Sequence, residues 1–231
     1  MFQAVIFDMD GTLISTEKDH ETAAVRALKH FGVPEVRDDR LLERIAVRAS
    51  GTTNQRTMQI IIEELNLDLS SDMLVRQKSA ELRKIYESKT DWGLNPGVAS
   101  LIENLYRLGL RMAVASSSPY DEILYLTERF GICKYFDLLF SGDFVPRSKP
   151  EPDIFLETAR KLDVKPSHCL VFEDSKNGVE AAKAAGMFTV GYNNPQTPSY
   201  DLSRADLQID DYRRFDIREL PMGSQLKYLS R

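Results

Sequence analysis

Cysteine is scarce in this chain: only two occur among 231 residues, Cys133 and Cys169. They form no Cys-x-x-Cys pair, so the sequence predicts neither a zinc cluster nor a disulfide framework. Such low cysteine usage favours a reducing compartment, and we expect a cytoplasmic protein. The opening residues lack the basic head and long apolar middle of a secretion signal, and no apolar run approaches the roughly 20 residues that span a bilayer. We therefore expect no membrane association.

An excess of basic residues is also missing. The chain has 30 lysines and arginines against 35 aspartates and glutamates, which gives a formal net charge of −5. Because such a protein has no general attraction for a phosphate backbone, we expect no nucleic-acid partner. Apolar residues make up 42% of the chain and charged residues 28%, a balance that excludes a disordered protein. At about 150 residues per domain, the length predicts one large domain, or one domain with an insert.

Short apolar runs that end in polar residues recur along the chain and predict buried strands. These runs are Ala4–Phe7, Met112–Ala115, Leu138–Phe140, Cys169–Phe172, Thr189–Gly191 and Asp206–Ile209. Apolar residues at three- and four-residue spacing, typical of helices, separate the runs from about residue 98 onward. This alternation predicts an α/β fold with a Rossmann-like, mostly parallel sheet, whose strands are covered on both faces.

Residues 15–93 interrupt the alternation, because they contain helical patterns and no convincing strand. Their apolar faces are Ala23–Phe31, Met58–Leu65 and Leu74–Ile85. Helices of this kind bury their apolar faces by packing together. We therefore predict an α-helical bundle domain at 15–93, inserted into a core formed by 1–14 and 94–220. The tail at 221–231 gives little reason to expect tight order.

Polar residues follow the predicted strands or stand in loops between the elements. They are Asp8, Asp10, Ser116, Lys149, Glu173 and Asp174. Because ligands of an open α/β sheet bind outside the carboxyl ends of its strands, we expect these side chains to converge. Four neighbouring carboxylates repel one another and retain protons, unless a hard cation such as Mg²⁺, which prefers oxygen ligands, lies among them. A lysine and a small hydroxyl beside such a metal indicate a bound anion, most commonly phosphate.

Taken in order, these residues resemble the four motifs of the haloacid dehalogenase superfamily. Asp8–Thr12 resembles the first motif, Ser116 the second, Lys149 the third and Glu173–Asp174 the fourth. The resemblance extends from Phe2 to about Gly191. A helical insert after the first motif is similar to the cap of the β-phosphoglucomutase-like phosphatases and phosphomutases.

The resemblance implies a reaction through an aspartyl phosphate. Asp8 would be the nucleophile, and Asp10 would be the general acid that protonates the leaving alcohol and then deprotonates water. Lys149 would offset the negative charge of Asp8 and of the phosphoryl group. The alternatives are a turn or N-cap carboxylate at Asp8 and a surface lysine at Lys149.

The resemblance also implies a Mg²⁺ site and a phosphate contact. The implied metal-binding residues are Asp8, Asp10, Glu173 and Asp174, of which Asp10 contributes its backbone carbonyl. Glu173 could instead cap a helix. Ser116 would donate to a phosphoryl oxygen and would bind substrate together with Ser117 and Lys149, although the adjacent Ser117 and Ser118 offer the same hydroxyl group as alternatives to Ser116.

Candidate substrate-binding residues also occur in the predicted insert. Arginines recur there at four-residue spacing, at Arg40, Arg44 and Arg48. A polar segment follows, Ser50–Arg56, which we interpret as a loop that the insert lowers onto the site when it closes. Arg48 and Arg56 are therefore candidates for binding the leaving group. The alternative is a solvated helix face whose arginines pair with Asp39 and Glu43.

His20 is a further candidate for substrate binding, because it lies on the first predicted helix of the insert near the hinge. The alternative is a partly exposed helix residue. The phosphomutase that acts on β-glucose phosphate is similar here but carries a His-Phe-Arg-Ala-Trp run, whereas this chain has His20–Ala24 with a different sequence. This difference favours a phosphatase over a mutase.

We therefore predict a Mg²⁺-dependent phosphatase that hydrolyses a small phosphorylated metabolite, a sugar phosphate or a nucleotide-like monoester. Two alternatives stay open: a phosphomutase of the β-phosphoglucomutase type, and a non-catalytic regulator that binds phosphate. The balanced charges and the predicted covering insert favour a monomer.

Overall fold

We describe the structure from a computed structural model, which describes residues 1–49, 51–197 and 200–221. Six parallel strands form one sheet in the order β3-β2-β1-β4-β5-β6. The strands are β1 (Ala4–Phe7), β2 (Arg111–Ser116), β3 (Leu138–Ser141), β4 (Cys169–Glu173), β5 (Phe188–Tyr192) and β6 (Leu207–Ile209). The predicted α/β class and all six predicted strands are confirmed.

Eight α-helices accompany the sheet in the described ranges. Four belong to the core: α5 (Val98–Arg107), α6 (Tyr120–Arg129), α7 (Asp153–Lys161) and α8 (Lys176–Ala184). Four others follow β1 and form a helical insert: α1 (Glu17–His30), α2 (Asp39–Ala49), α3 (Asn54–Leu65) and α4 (Ser71–Ser88). None of the helices in these ranges combines the length and apolarity needed to cross a membrane.

β1 occupies the centre of the sheet because both of its faces are apolar. Val5 and Phe7 belong to one buried cluster, and Ala4 and Ile6 belong to the cluster on the opposite face. Phe7 stacks on Phe172 of the neighbouring β4, with ring centroids 4.9 Å apart. Burying a side chain of this size contributes about 1.5–3 kcal/mol. The central position brings the carboxyl end of β1 beside those of β2 and β4.

The helical insert is joined to the core by two adjacent chain segments. Ile14, where the chain leaves the core, pairs with Leu94, where it returns, in an antiparallel bridge. Asn95 strengthens this junction, since its amide nitrogen donates to the carbonyls of Gly11 and Thr12 at 2.9 Å. The insert also has an apolar cluster of its own, with Ala27, Met58, Ile61 and Leu74 at its centre.

The interpretation of Ser50–Arg56 as a loop is wrong for its second half. Asn54, Gln55 and Arg56 form the first turn of α3. Thr53 is the N-cap, and its hydroxyl oxygen accepts a hydrogen bond from the backbone of Arg56 at 3.3 Å. α3 therefore begins within the segment that we expected to be a loop. Ser50 lies outside the described residues, as do residues 222–231 of the predicted tail.

Candidate active site

The turn after β1 determines where Asp8 and the other acidic groups lie. Gly11 has a φ of +80°, which favours glycine. A Cβ at this position would stand 2.0 Å from Oδ2 of Asp174 and 2.2 Å from Oε1 of Glu17. The turn therefore needs glycine both for its backbone conformation and for the close approach of two carboxylates.

Lys149 forms the positive centre of the site. Its Nζ lies 2.7 Å from Oδ1 of Asp8 and 2.6 Å from Oε1 of Glu173, and only 1% of its side chain is exposed. Burial alone lowers the pKa of this ammonium group, but the two carboxylates outweigh burial and raise the pKa above its usual value. The Lys149 ammonium group therefore lies between two acids that are distant in the sequence, and both carboxylates favour its charged form.

The residues after β4 hold the remaining acids in fixed positions. Oε2 of Glu173 accepts hydrogen bonds from the backbone nitrogen of Ser175 at 2.9 Å and from its hydroxyl at 3.0 Å. A Cβ on Gly178 of α8 would stand 1.7 Å from Oε1 of Glu173, so this helix leaves space for the carboxylate. Oδ1 of Asp174 accepts a hydrogen bond from the hydroxyl of Thr12 at 3.1 Å.

Asp8, Glu173 and Asp174 form a group that could hold a divalent cation. Each offers a carboxylate oxygen, and these oxygens all lie within 4.8 Å of one another. The ammonium group of Lys149 contacts two of these three acids, so full ionisation of the group would leave two negative charges uncompensated. Burial accordingly raises the pKa of Asp8 and Asp174 well above the usual range of carboxyl groups. Oε1 of Glu17 is also buried and has no hydrogen-bond partner. The oxygen-rich donor set fits Mg²⁺.

The side chain of Asp10 belongs to a different group of residues. Its Oδ1 accepts a hydrogen bond from Thr16 at 2.5 Å, and its Oδ2 accepts from Ser118 at 2.7 Å and from Ser116 at 3.2 Å. Nε2 of His20 lies 3.3 Å from Oδ1. Burial alone raises the pKa of Asp10, but the bond from His20, its charge and the hydroxyl donors outweigh burial and lower the pKa below its usual value. Asp10 is thus held ionised.

A family comparison matches residues 2–186 to the haloacid dehalogenase-like hydrolase family. This match covers the strands and turns that carry all four motifs. The chain belongs to this family. The predicted superfamily membership is therefore confirmed.

Individual relatives of this hydrolase are known. It is 36% identical over 185 residues to the phosphorylated carbohydrates phosphatase of Thermotoga maritima, covering 80% of this chain and 82% of the relative. It is 29% identical over 199 residues to the β-phosphoglucomutase of Bacillus subtilis, covering 84% of each chain. A crystal structure of a CbbY variant from Rhodobacter sphaeroides, bound to xylulose-1,5-bisphosphate, matches with a TM-score of 0.81 and 29% identity, covering 93% of this chain and 96% of that one. The predictions of an enzyme and of the phosphatase class are confirmed.

The second motif of this hydrolase contributes three serines with different partners. Oγ of Ser116 donates to Asp10 and accepts a hydrogen bond from the backbone nitrogen of Ser118 at 3.0 Å. Ser117, predicted to bind substrate, instead donates to the carbonyl of Gly51 in the helical insert at 2.7 Å. Ser118 donates directly to Asp10. Ser117 therefore joins the helical insert to the core.

His20 is brought beside the predicted site by α1. Its Nε2 lies 3.0 Å from Oε1 of Glu122, and its Nδ1 lies 3.0 Å from Nζ of Lys78. Burial and the charge of Lys78 lower the pKa of His20. Glu122 and Asp10 raise it by more, so that the resulting pKa is about 9, above the usual value for histidine. Burial also lowers the pKa of Lys78. Nδ1 of His20 and Nζ of Lys78 form a hydrogen bond only if one of them carries no proton on the facing side and accepts. We therefore assign a single positive charge to the His20–Lys78 pair.

Sequence reasoning missed Lys78, although a signal for it exists. The residue lies on α4 at four-residue spacing between Leu74 and Leu82, and these three side chains are buried. Only 3% of Lys78 is exposed, and its ammonium group also donates to Oδ1 of Asn54. A lysine in the middle of an apolar helical stripe indicates a buried cation with a specific partner.

Arg48 and Arg56 lie near the site but are paired with other residues. Arg48 forms ion pairs with Glu63, at 2.8 Å, and with Glu64, while Arg56 lies 3.2 Å from Glu63. The alternative prediction, in which the arginines pair with Asp39 and Glu43 of their own helix, is therefore wrong for Arg48. Both arginines line a cavity of about 280 Å³. Its other polar lining residues are Thr52, Ser148, Lys149 and Asn177, so the cavity connects the arginines with the buried cation.

Proposed function

We propose that this hydrolase is a Mg²⁺-dependent phosphatase that cleaves a small phosphorylated metabolite through a phosphoryl group carried on Asp8. The observation that carries the proposal is the position of Asp8, buried with one oxygen on Lys149 and beside two further acids. A carboxylate held in this way is immobile, desolvated and close to positive charge. These are the conditions that phosphoryl transfer requires, because its catalysis is mainly positioning and electrostatic stabilisation.

Asp8, Glu173 and Asp174 would hold the Mg²⁺ ion, with the backbone carbonyl of Asp10. When bound, the ion supplies positive charge that neutralises the phosphoryl oxygens. In the first step, the free carboxylate oxygen of Asp8 attacks phosphorus and the bond to the leaving oxygen breaks. Lys149 remains at 2.7 Å from the other oxygen, so it neutralises the nucleophile and orients it.

Asp10 would move the protons in both steps. It gives a proton to the leaving alcohol, and it then takes one from the water that attacks the phosphorylated Asp8. Its pKa is held low by His20 and the hydroxyl donors, and two of those donors are the serines of the second motif. When Ser116 and Ser118 donate instead to a phosphoryl oxygen, Asp10 loses two donors and its pKa rises. Binding of the phosphate would therefore prepare the general acid.

We propose that residues 15–93 act as a cap over a catalytic core of residues 1–14 and 94–220. The contact of His20 with Asp10 supports this assignment, because it joins α1 to the turn after β1. The enzyme would act as a monomer, since its own insert covers the site. A cytoplasmic location is supported by Cys133 and Cys169, neither of which is in a disulfide.

The substrate class that we propose is a sugar phosphate. The Thermotoga phosphatase is named for phosphorylated carbohydrates, and the CbbY structure holds a sugar bisphosphate. The cavity beside Lys149 provides the hydrogen-bonding groups of Arg48, Thr52, Arg56 and Asn177. Such a lining suits the hydroxyls of a sugar or a second anionic group.

The decisive test is release of inorganic phosphate from a panel of sugar phosphates and nucleotides, with Mg²⁺ and with EDTA as the control. We expect release from at least one sugar phosphate in the presence of Mg²⁺ only. A mutase would convert β-glucose 1-phosphate into glucose 6-phosphate with little phosphate release, which a coupled dehydrogenase assay detects. No turnover of any compound, p-nitrophenyl phosphate included, would instead favour the phosphate-binding regulator.

Replacing Asp174 should weaken Mg²⁺ binding. We expect Asp174→Asn to raise the dissociation constant by at least about 10- to 100-fold, the range for loss of a residue that only supports a metal ligand. Isothermal titration with MgCl₂ measures this constant, and Asp68→Asn, the same change at an exposed position, is the control. Because Mg²⁺ requires ionised carboxylates, affinity should rise with pH through the raised pKa of Asp8 and Asp174. Unchanged affinity in the variant would remove Asp174 from the site.

Replacing either of the two cavity arginines should weaken the binding of a large substrate more than that of a small one. We expect Arg48→Ala and Arg56→Ala each to raise KM for the sugar phosphate about tenfold, since each loses a charge-assisted hydrogen bond. A small aryl phosphate should be nearly unaffected, because it leaves the cavity empty. Arg44→Ala is the control, since Arg44 pairs with Glu64 at 2.8 Å as Arg48 also does, but is not part of the cavity lining. Equal losses with both substrates would contradict a role in binding the leaving group.

A further inference from the structure

Glu122 lies at the junction between the helical insert and the core, and none of the four motifs includes it. It is on α6, which begins directly after the three serines of the second motif. Its Oε1 accepts a hydrogen bond from the hydroxyl of Tyr86 at 2.9 Å and lies 3.0 Å from Nε2 of His20. Only 11% of its side chain is exposed. One core carboxylate oxygen therefore contacts two helices of the insert, α1 through His20 and α4 through Tyr86.

The ring of Tyr86 is held against the same core helix. It stacks on Tyr125 of α6 with ring centroids 6.3 Å apart and planes 12° apart. Its other neighbour is Trp92, at 4.9 Å and 22°. Trp92 in turn meets Phe130, just after α6, edge to face at 5.1 Å. Both ends of the Tyr86 side chain are therefore fixed to α6, the hydroxyl by Glu122 and the ring by aromatic stacking.

We propose that Glu122 is a positioning residue that latches the helical insert closed over the active site. It does so by accepting hydrogen bonds from Tyr86 and His20, and it thereby places His20 beside Asp10. The proposal rests on the proposed function, because it takes the insert as the cap of a phosphatase. Its distinctive feature is that α6 carries the latch four residues after Ser118, so that the loop donating to Asp10 and the latch belong to one continuous segment.

Ionisable groups of both signs surround the latch. Glu122 faces His20 and Tyr86, and Lys78 and Asp10 are the other ionisable groups that contact His20. The buried cluster therefore contains two carboxylates, one phenol and the His20–Lys78 pair. Removing the charge of Glu122 leaves both donors of the insert with a weaker acceptor. A hydrogen bond to a charged group is worth enough to shift a closed–open equilibrium by about tenfold or more.

The single tryptophan of the chain provides a readout that does not depend on catalysis. Because Trp92 lies in the insert and meets Phe130 of the core edge to face, opening of the insert separates the two rings and exposes the indole to a dissolved quencher. We would measure acrylamide quenching of Trp92 fluorescence in the full chain, for Glu122→Gln, for Tyr86→Phe and for the double variant. Tyr86→Phe keeps the ring stack and removes only the hydroxyl. Glu128→Gln, on an exposed position of the same helix, is the matched control.

We expect the quenching constant to rise about twofold or more in each single variant, and to rise no further in the double variant than in Glu122→Gln, because that change already removes the contact that Tyr86→Phe breaks. Glu128→Gln should match the wild type. Quenching constants in Glu122→Gln and Tyr86→Phe equal to that of Glu128→Gln would overturn the proposal, and so would independent, additive effects. Circular dichroism confirms that each variant is folded, and Tyr86→Phe keeps the test valid if Glu122→Gln does not fold.

Kinetics provide the second readout. Glu122→Gln, which removes a latch that positions His20 and the closed insert, should raise KM for a sugar phosphate by a larger factor than it lowers kcat for p-nitrophenyl phosphate. Equal losses with both compounds would overturn the latch. The two proposals fail separately: a wild-type protein that releases no phosphate but shows the quenching pattern refutes the phosphatase and retains the latch, whereas normal turnover without the quenching pattern does the reverse.

Discussion

Asp8→Asn is expected to abolish phosphate release and to leave the fold intact. The amide has nearly the shape of the carboxylate but cannot attack phosphorus, so we expect turnover to fall by about 10⁴-fold or more, as for loss of a catalytic nucleophile. Its carbonyl oxygen can still accept the hydrogen bond that Lys149 donates to Asp8 at 2.7 Å. Single-turnover phosphate release measures the loss, and Asp68→Asn is the matched control at an exposed position.

The same variant should be at least as stable as the wild type when Mg²⁺ is absent. Burial raises the pKa of Asp8, which means that folding disfavours its ionised form. A raised folded-state pKa makes stability fall as pH rises above the unfolded-state value. The amide removes this dependence, so the difference in melting temperature should grow with pH. Turnover above a few per cent of the wild type, with mass spectrometry excluding deamidation, would contradict a nucleophilic Asp8.

The core was predictable from the sequence because its strands are buried on both faces. A continuous apolar run such as Ala4–Phe7 has no other stable location in an α/β protein. The carboxyl-end rule then predicts that residues as distant as Asp8, Lys149 and Glu173 come together, and Nζ of Lys149 does lie within 2.7 Å of an oxygen of each acid. This convergence needs only strand order and direction, which local patterns determine.

The contacts between the insert and the core were not predictable in the same way. Glu122 and Tyr86 are separated by 36 positions, and no periodicity links a residue of one helix to its partner on another. Their hydrogen bond depends on how two helices are placed by a hinge, which is a tertiary property. The burial of Lys78, in contrast, could have been predicted, because its position in the apolar stripe of α4 marks it as buried before any partner is known.

The errors in the insert have a common origin. Thr53 and the residues after it are polar, and polarity alone suggested a loop, whereas the side chain of Thr53 is an N-cap that starts α3. The arginines of α2 were paired with acids of their own helix, because spacing within a helix is visible in sequence. Their actual partners, Glu63 and Glu64, are on the neighbouring α3. Packing of two helices against each other decided this choice.

Lys149→Met is expected to impair both catalysis and stability. Methionine retains the apolar length of the side chain, so the change removes mainly the charge. Without the ammonium group, neither Asp8 nor the phosphoryl group is neutralised at that position, and we expect kcat to fall by about 10³-fold, as for loss of one electrostatic donor in an active site. Steady-state phosphate release measures this, and Lys161→Met, on an exposed lysine, is the control.

The stability effect follows from the partners that Lys149→Met leaves behind. Breaking a buried ion pair by removing one member costs about 3–5 kcal/mol, and here Asp8 and Glu173 both lose their cation. The fold can recover part of this cost by protonating a carboxylate, since burial already raises the pKa of Asp8. Folding then binds protons, so the loss of melting temperature should be small near pH 5 and larger near pH 8.

Mg²⁺ should restore part of the stability of Lys149→Met but little of its activity, because a cation among the acids replaces the charge of the lysine without its hydrogen bond to Asp8. A variant whose melting temperature is independent of pH, or whose turnover matches that of Lys161→Met, would show that the charge of Lys149 is dispensable at this site.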